Sequence, residues 1–172
     1  DQLEKPPQLI IDPRFNEVQT DEQIEVMMPL LKERDARFAD LVAAMDADTK
    51  SFQKIIETVF SYWVSSDCDV AGIQSWADYS EGVVSAFEGA MASAASGTDT
   101  AIFTSGGTIA TIVGHVLRLT SDRVYEFYEP VFNCSITRII FNSRKCSLST
   151  FNDVGHLQLM SAQLEERLVT YR

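Results

Sequence analysis

Ser105, Gly106 and Gly107 stand between a short apolar run, residues 100–104, and an apolar stretch that begins at Thr108. A strand followed by a Gly-Gly turn and a helix leaves backbone N–H groups without intrahelical partners at the helix N-terminus. The aligned peptide dipoles add about half a positive charge there. Such a turn can hold a phosphate or a carboxylate, at the strand end where ligands of open α/β sheets sit. The hydroxyls of Thr104, Ser105 and Thr108 could add donors. The competing reading is mechanical, because two glycines simply allow a tight strand-to-helix turn. The spacing matches neither the Walker A pattern nor the full Gly-x-Gly-x-x-Gly fingerprint. A serine nucleophile at Ser105 is a third reading, but the Gly-x-Ser-x-Gly elbow and an evident histidine base are missing.

Other chemistries have less support. The chain has two histidines and three cysteines, Cys68, Cys134 and Cys146, in no CxxC pairing. That argues against a disulfide framework and against zinc. No carboxylate cluster has metal-ligand spacing, so neither a metal nor a cofactor is expected.

The elements that must position the Ser105 turn follow from periodicity. Residues 8–12 form an apolar run closed by Pro13, which suits a buried strand. From Asp21 the pattern is helical, with Ile24, Met27, Met28, Leu31, Phe38, Leu41, Val42 and Met45 at three- and four-residue spacing. Pro29 is expected to break or kink that stretch. Asp48 or Thr49 can cap a further helix whose face is Phe52, Ile55, Ile56, Val59, Phe60 and Trp63. Residues 72–95 carry Ile73, Trp76, Val83, Val84, Phe87 and Met91 at helical spacing. Residues 100–104 read as a strand and 108–119 as a helix burying Ile109, Ile112, Val113, Val116 and Leu117. Residues 134–141 and 146–151 alternate about the turn Ser143-Arg144-Lys145, which predicts an antiparallel hairpin. Trp63, Trp76, Phe87, Met27 and Met28 are read as packing residues.

With 172 residues, 45% hydrophobic and 23% charged, the chain fits a single domain with a real core. Its formal net charge of −11 repels phosphate backbones and anionic lipid, so neither nucleic acid nor membrane is an expected partner. The least charged stretch, residues 100–117, is too broken by Thr, Ser and Gly for a membrane span. No signal peptide is visible, and the reducing cytoplasm is the expected compartment. The chain begins with Asp1 rather than Met, and a segment is expected to precede it.

Four segments together resemble the histidine phosphatase, or phosphoglycerate mutase-like, superfamily. Ala101-Ile-Phe-Thr-Ser-Gly-Gly-Thr-Ile-Ala110 is similar to its second catalytic motif, a strand running into His-Gly and an apolar helix. Asn133-Cys-Ser-Ile-Thr137 resembles its Asn-x-Ser strand start, and Phe151-Asn-Asp-Val-Gly-His-Leu157 its closing Asn-x-x-x-His-Leu segment. Ile11-Asp-Pro-Arg-Phe-Asn-Glu-Val18 resembles the segment ending in Leu-x-Glu that carries the proton-donating acid. The four occur in the family's order.

The resemblance implies an α/β fold, a three-layer α/β/α sandwich with a mostly parallel sheet and a C-terminal antiparallel hairpin. One domain would span residues 1–172, with a helical insertion at about 21–96 that covers the site mouth. Tyr62 or Trp76 are candidates to line that mouth. Glu17 would be the general acid, the alternative being a solvated glutamate. Ser105 takes the place of the second histidine, and with Gly106 and Gly107 it would bind phosphate. The family's Arg-His-Gly nucleophile motif is absent, and His115 and His156 are read as structural. The first strands are thus missing, a block of roughly 60 to 80 residues by the size of βαβ units, expected upstream. The implied function is a phosphatase acting on a small phosphomonoester, in preference to a mutase. The alternative is a pseudoenzyme that only binds a phosphate ligand. Expected partners are a small phosphorylated metabolite or inorganic phosphate, and a homodimer stays open.

Overall fold

The computed structural model describes residues 7–45 and 49–171. The apolar spacing after Asp21 folds as helix, but the helix ends elsewhere than expected. Helix α1 (Thr20–Arg34) runs through Pro29, and the break falls at Asp35. Asp35 is extended (φ −136°, ψ 111°), and its carboxylate accepts from Arg37 N at 2.8 Å to cap α2 (Ala36–Ala43). An aspartate's side chain competes for backbone N–H groups, which favours starting a helix over continuing one. The cap expected at Asp48 or Thr49 lies outside the described residues and side chains.

Helix α3 (Thr49–Trp63) buries Ile55, Val59, Phe60 and Trp63, while Phe52 at its start stays exposed. Helix α4 (Trp76–Ser93) starts where Ser75 Oγ accepts from Asp78 N, so its first turn is capped by side chain. Helix α5 (Gly106–Leu117) ends at Arg118 in the left-handed region (φ 58°). A short helix α6 (Tyr125–Tyr128) follows. These helices share one core in which six rings meet: Phe60, Trp63, Trp76, Tyr79, Tyr125 and Tyr128. Phe60 stacks on Tyr128 at 5.6 Å, and Trp63 lies edge-on to Trp76 at 5.2 Å. Both indole N–H groups are satisfied, Trp63 by Gln74 O and Trp76 by Ser121 Oγ, each at 2.8 Å. Burying rings with their polar tips paired avoids the desolvation penalty that would offset the gain.

The hairpin forms as its alternation predicts. Strands β1 (Ile136–Phe141) and β2 (Cys146–Asp153) pair antiparallel, with Ile139 opposite Leu148 and Phe141 opposite Cys146. Asn142 Oδ1 closes the turn by accepting from Arg144 N and Lys145 N. This ladder is the only sheet among the described residues. The expected parallel strands at 8–12 and 100–104 do not form, and no three-layer sandwich is seen among the described residues. Ile10 and Phe103 are 74% and 94% exposed. An apolar run needs a neighbouring strand to take its N–H and C=O groups, and neither run is paired with a strand among the described residues.

Helix α7 (Gly155–Leu164) is the last described helix, preceded by a clamp at Asn152. Asn152 sits in the left-handed region (φ 58°). Its Oδ1 accepts from Phe132 N at 2.9 Å and its Nδ2 donates to Pro130 O at 2.7 Å. Asn152→Ala removes both bonds and leaves a Cβ residue at positive φ, so unfolding in urea should show a loss of about 2–4 kcal/mol. Asn152→Gly should lose less, because glycine adopts that φ freely.

Candidate functional site

Glu17 reaches its position through a short turn. Asp12 caps the short 3₁₀ turn Pro13–Phe15, and its carboxylate accepts from Arg14 N at 3.1 Å. The same carboxylate grips the Arg14 guanidinium at 2.9 and 2.6 Å. Those side-chain bonds are the main reason the Asp12 carboxyl lies below its usual range. The chain leaves this turn against the start of α5. Thr104 Oγ1 donates to Phe15 O at 2.6 Å, and Thr108 Oγ1 lies 3.0 Å from Asn16 O.

The Glu17 carboxylate then occupies the first turn of α5. Its Oε1 accepts from Val18 N at 2.8 Å and from Gly107 N at 3.1 Å, with Oε2 at 3.4 Å from the same Gly107 N. A free N–H at a helix start needs such an acceptor. Gly107 permits the approach, since a Cβ there would collide with Glu17 Oε1 and come within 2.8 Å of Val18 Cγ2. Ser105, the residue before α5, makes no capping bond, and its Oγ is buried without a partner among the described residues.

Glu17 lies on the wall of a cleft of about 160 Å³, lined also by Arg14, Asn16, Gln74, Tyr79 and Gly82. Burial pushes the Tyr79 hydroxyl well above the ordinary tyrosine range, and the nearby Glu17 charge adds to the rise. Tyr79 therefore keeps its proton at neutral pH and can donate. A second cavity of about 130 Å³ lies between α4, α5 and β1, lined by Phe87, Ile102, Ile112 and Ile139 among others. Its lining carries no titratable side chain, unlike that of the Glu17 cleft.

Of the residues singled out by sequence, Glu17 and Gly107 touch directly, and Ser105 and Gly106 adjoin them. Thr104 and Thr108 turn their hydroxyls to the carbonyls of Phe15 and Asn16, not to an open ligand site. Tyr62 and Trp76 do not line the cleft: Tyr62 OH accepts from Arg34 Nη1 at 2.6 Å, and Trp76 packs among the rings. His115 lies near the far end of α5, its Nε2 3.5 Å from Glu88 Oε1. By helical rise that is roughly 12 Å from Gly107. His156 is exposed on α7. Sequence reasoning missed Tyr79, although the spacing Trp76, Tyr79, Val83, Phe87 puts it on the buried face of α4. Among the described residues, no group of three or more His, Cys, Asp or Glu could hold a metal ion. No described helix is long and apolar enough to cross a membrane.

A family model described as histidine phosphatase superfamily (branch 1) matches residues 18–154, well over half of the 172 residues. The chain belongs to that superfamily. The matched span takes in Ser105, Gly106, Gly107, the hairpin and Asn152, and starts one residue after Glu17. No curated protein and no solved structure matches the chain.

The packing at Gly107 makes a differential prediction. Gly107→Ala should displace the Glu17 carboxylate and lower stability in urea by about 1–3 kcal/mol. Gly89→Ala, inside α4 with nothing within 4 Å of the added carbon, should be neutral or stabilise by up to about 1 kcal/mol.

Proposed function

We propose, with that membership as premise, that the chain supplies the acid and part of the phosphate cradle for hydrolysis of a small phosphomonoester. The observation that carries the reading is Glu17: a carboxyl on a cleft wall, 3.1 Å from a helix-start N–H suited to a phosphoryl oxygen. The nucleophile would be a histidine in a segment preceding Asp1. Its nitrogen attacks phosphorus, the P–O bond to the leaving alcohol breaks, and Glu17 gives its proton to the departing oxygen. Water then attacks the phosphohistidine and returns a proton to Glu17 as the P–N bond breaks and inorganic phosphate leaves.

Ser105 Oγ, buried and unpartnered, is the hydroxyl that would donate to a phosphoryl oxygen. A neutral donor stabilises the developing charge less than a histidine does, a difference on the order of a hundredfold in rate. The cleft, about 160 Å³, is below the roughly 300–1,000 Å³ of drug-sized sites, which suits a small substrate. Its lining has one cation, Arg14, already held by Asp12. That favours simple hydrolysis over handling a bisphosphate, as a mutase must.

A second reading is a pseudoenzyme that binds a phosphate ligand without turnover. Its support is Ser105 in the second histidine's place, together with a Glu17 carboxylate already on the Gly107 N–H. A serine nucleophile at Ser105 has no support, since its hydroxyl contacts no base.

Glu17→Gln separates the readings. Hydrolysis of an alkyl phosphate, whose leaving oxygen needs a proton, should fall by roughly 10²–10⁴, while p-nitrophenyl phosphate should change little. Equal rates for the variant and the parent on the alkyl ester would overturn the acid role. Calorimetric binding of inorganic phosphate with no turnover of either ester would favour the pseudoenzyme.

A further inference from the structure

The loop that carries Glu17 is held by α4 at two points. Arg14 Nη1 donates to Ser85 Oγ at 3.2 Å. The second link runs through hydroxyls: Tyr79 OH lies 3.0 Å from Thr108 Oγ1, which lies 3.0 Å from Asn16 O and 3.4 Å from Phe15 O. Its direction follows from donor counting. A carbonyl can only accept, so the single Thr108 hydroxyl proton goes to the loop, and Tyr79 is the donor to Thr108. The Tyr79 ring is itself fixed, buried 5.5 Å from the Trp63 ring. Thr108 is fully buried in the first turn of α5, one residue after the Gly107 N–H that Glu17 accepts from.

We infer that Tyr79 and Thr108 are positioning residues, a two-hydroxyl relay through which α4 holds the Glu17 carboxyl at the cleft. On this inference α4 sets where the acid stands. Thr108 does not line the cleft, and Tyr79, which does, acts on Glu17 through Thr108. A carbonyl held from one side by Thr108 leaves the next residue few directions to point, and the Val18 and Gly107 N–H groups then capture the carboxylate. Losing the Thr108 hydroxyl leaves Asn16 O without its donor, and losing the Tyr79 hydroxyl leaves the buried Thr108 Oγ1 without the bond that holds it in place, so either change loosens the loop.

The inference rests on Glu17 being the acid, so its test has one arm independent of that. Amide hydrogen exchange should rise at least tenfold at Val18 and Gly107 in Thr108→Val, with Val113 in the α5 core unchanged, and stay at the parent level in Thr108→Ser. Tyr79→Phe should move the same two amides in the same direction, and it keeps the test open if Thr108→Val fails to fold. In the second arm, kcat for an alkyl phosphate should fall tenfold or more in Thr108→Val with KM unchanged, and recover in Thr108→Ser. Parent-level exchange at Val18 and Gly107 in both Thr108→Val and Tyr79→Phe overturns the relay. If exchange rises as expected but Glu17→Gln leaves alkyl phosphate turnover intact, the relay stands as a loop anchor and the acid reading falls instead.

Discussion

The N–H of Gly107 can be reached by a carboxylate only because residue 107 has no side chain. A Cβ there would occupy the space of Glu17 Oε1 and press on Val18. Several features depend on this vacancy. It lets two segments ninety residues apart in sequence meet at one helix start. It brings Thr104 and Thr108 within reach of the Phe15 and Asn16 carbonyls, and it places the wall of the cleft. The interaction is favourable because a helix N-terminus concentrates donors that the helix cannot satisfy itself.

The core beneath is arranged to keep that contact in register. α3, α4 and α6 lock together through six rings, and the polar tips of the two indoles are paired with Gln74 O and Ser121 Oγ. A ring cluster of this size resists sliding, since dense packing penalises small displacements. Tyr79 belongs to the cluster at its ring and to the site at its hydroxyl. The side chain thus couples a stability element to a chemical one.

Charge follows a similar division between whole and part. The formal net charge of −11 disfavours polyanionic partners, while the first turn of α5 has its Gly107 N–H met by the Glu17 carboxylate. The one arginine on the cleft wall is bound to Asp12, which fixes the Pro13–Phe15 turn more than it advertises a cation.

Local pattern was enough for the hairpin, for α3 and for the existence of α5, but α5 runs Gly106–Leu117, so the two glycines expected as a turn are its first helical residues and Leu117 is exposed. In each the period of apolar residues and the turn chemistry agree over a short span. The same logic failed at residues 8–12 and 100–104, because hydrophobicity asks for burial but does not say which strand will supply hydrogen bonds. It also misplaced the break between α1 and α2, since the Asp35 side chain, not the Pro29 ring, competes with the helix. Asn152 at positive φ, Tyr79 donating to Thr108 and Glu17 on Gly107 all join residues far apart in the chain. The sequence by itself determined the periods, the turns and the candidate residues. Tertiary structure alone decided which of them touch, because a hydrogen bond across ninety residues depends on where whole helices pack.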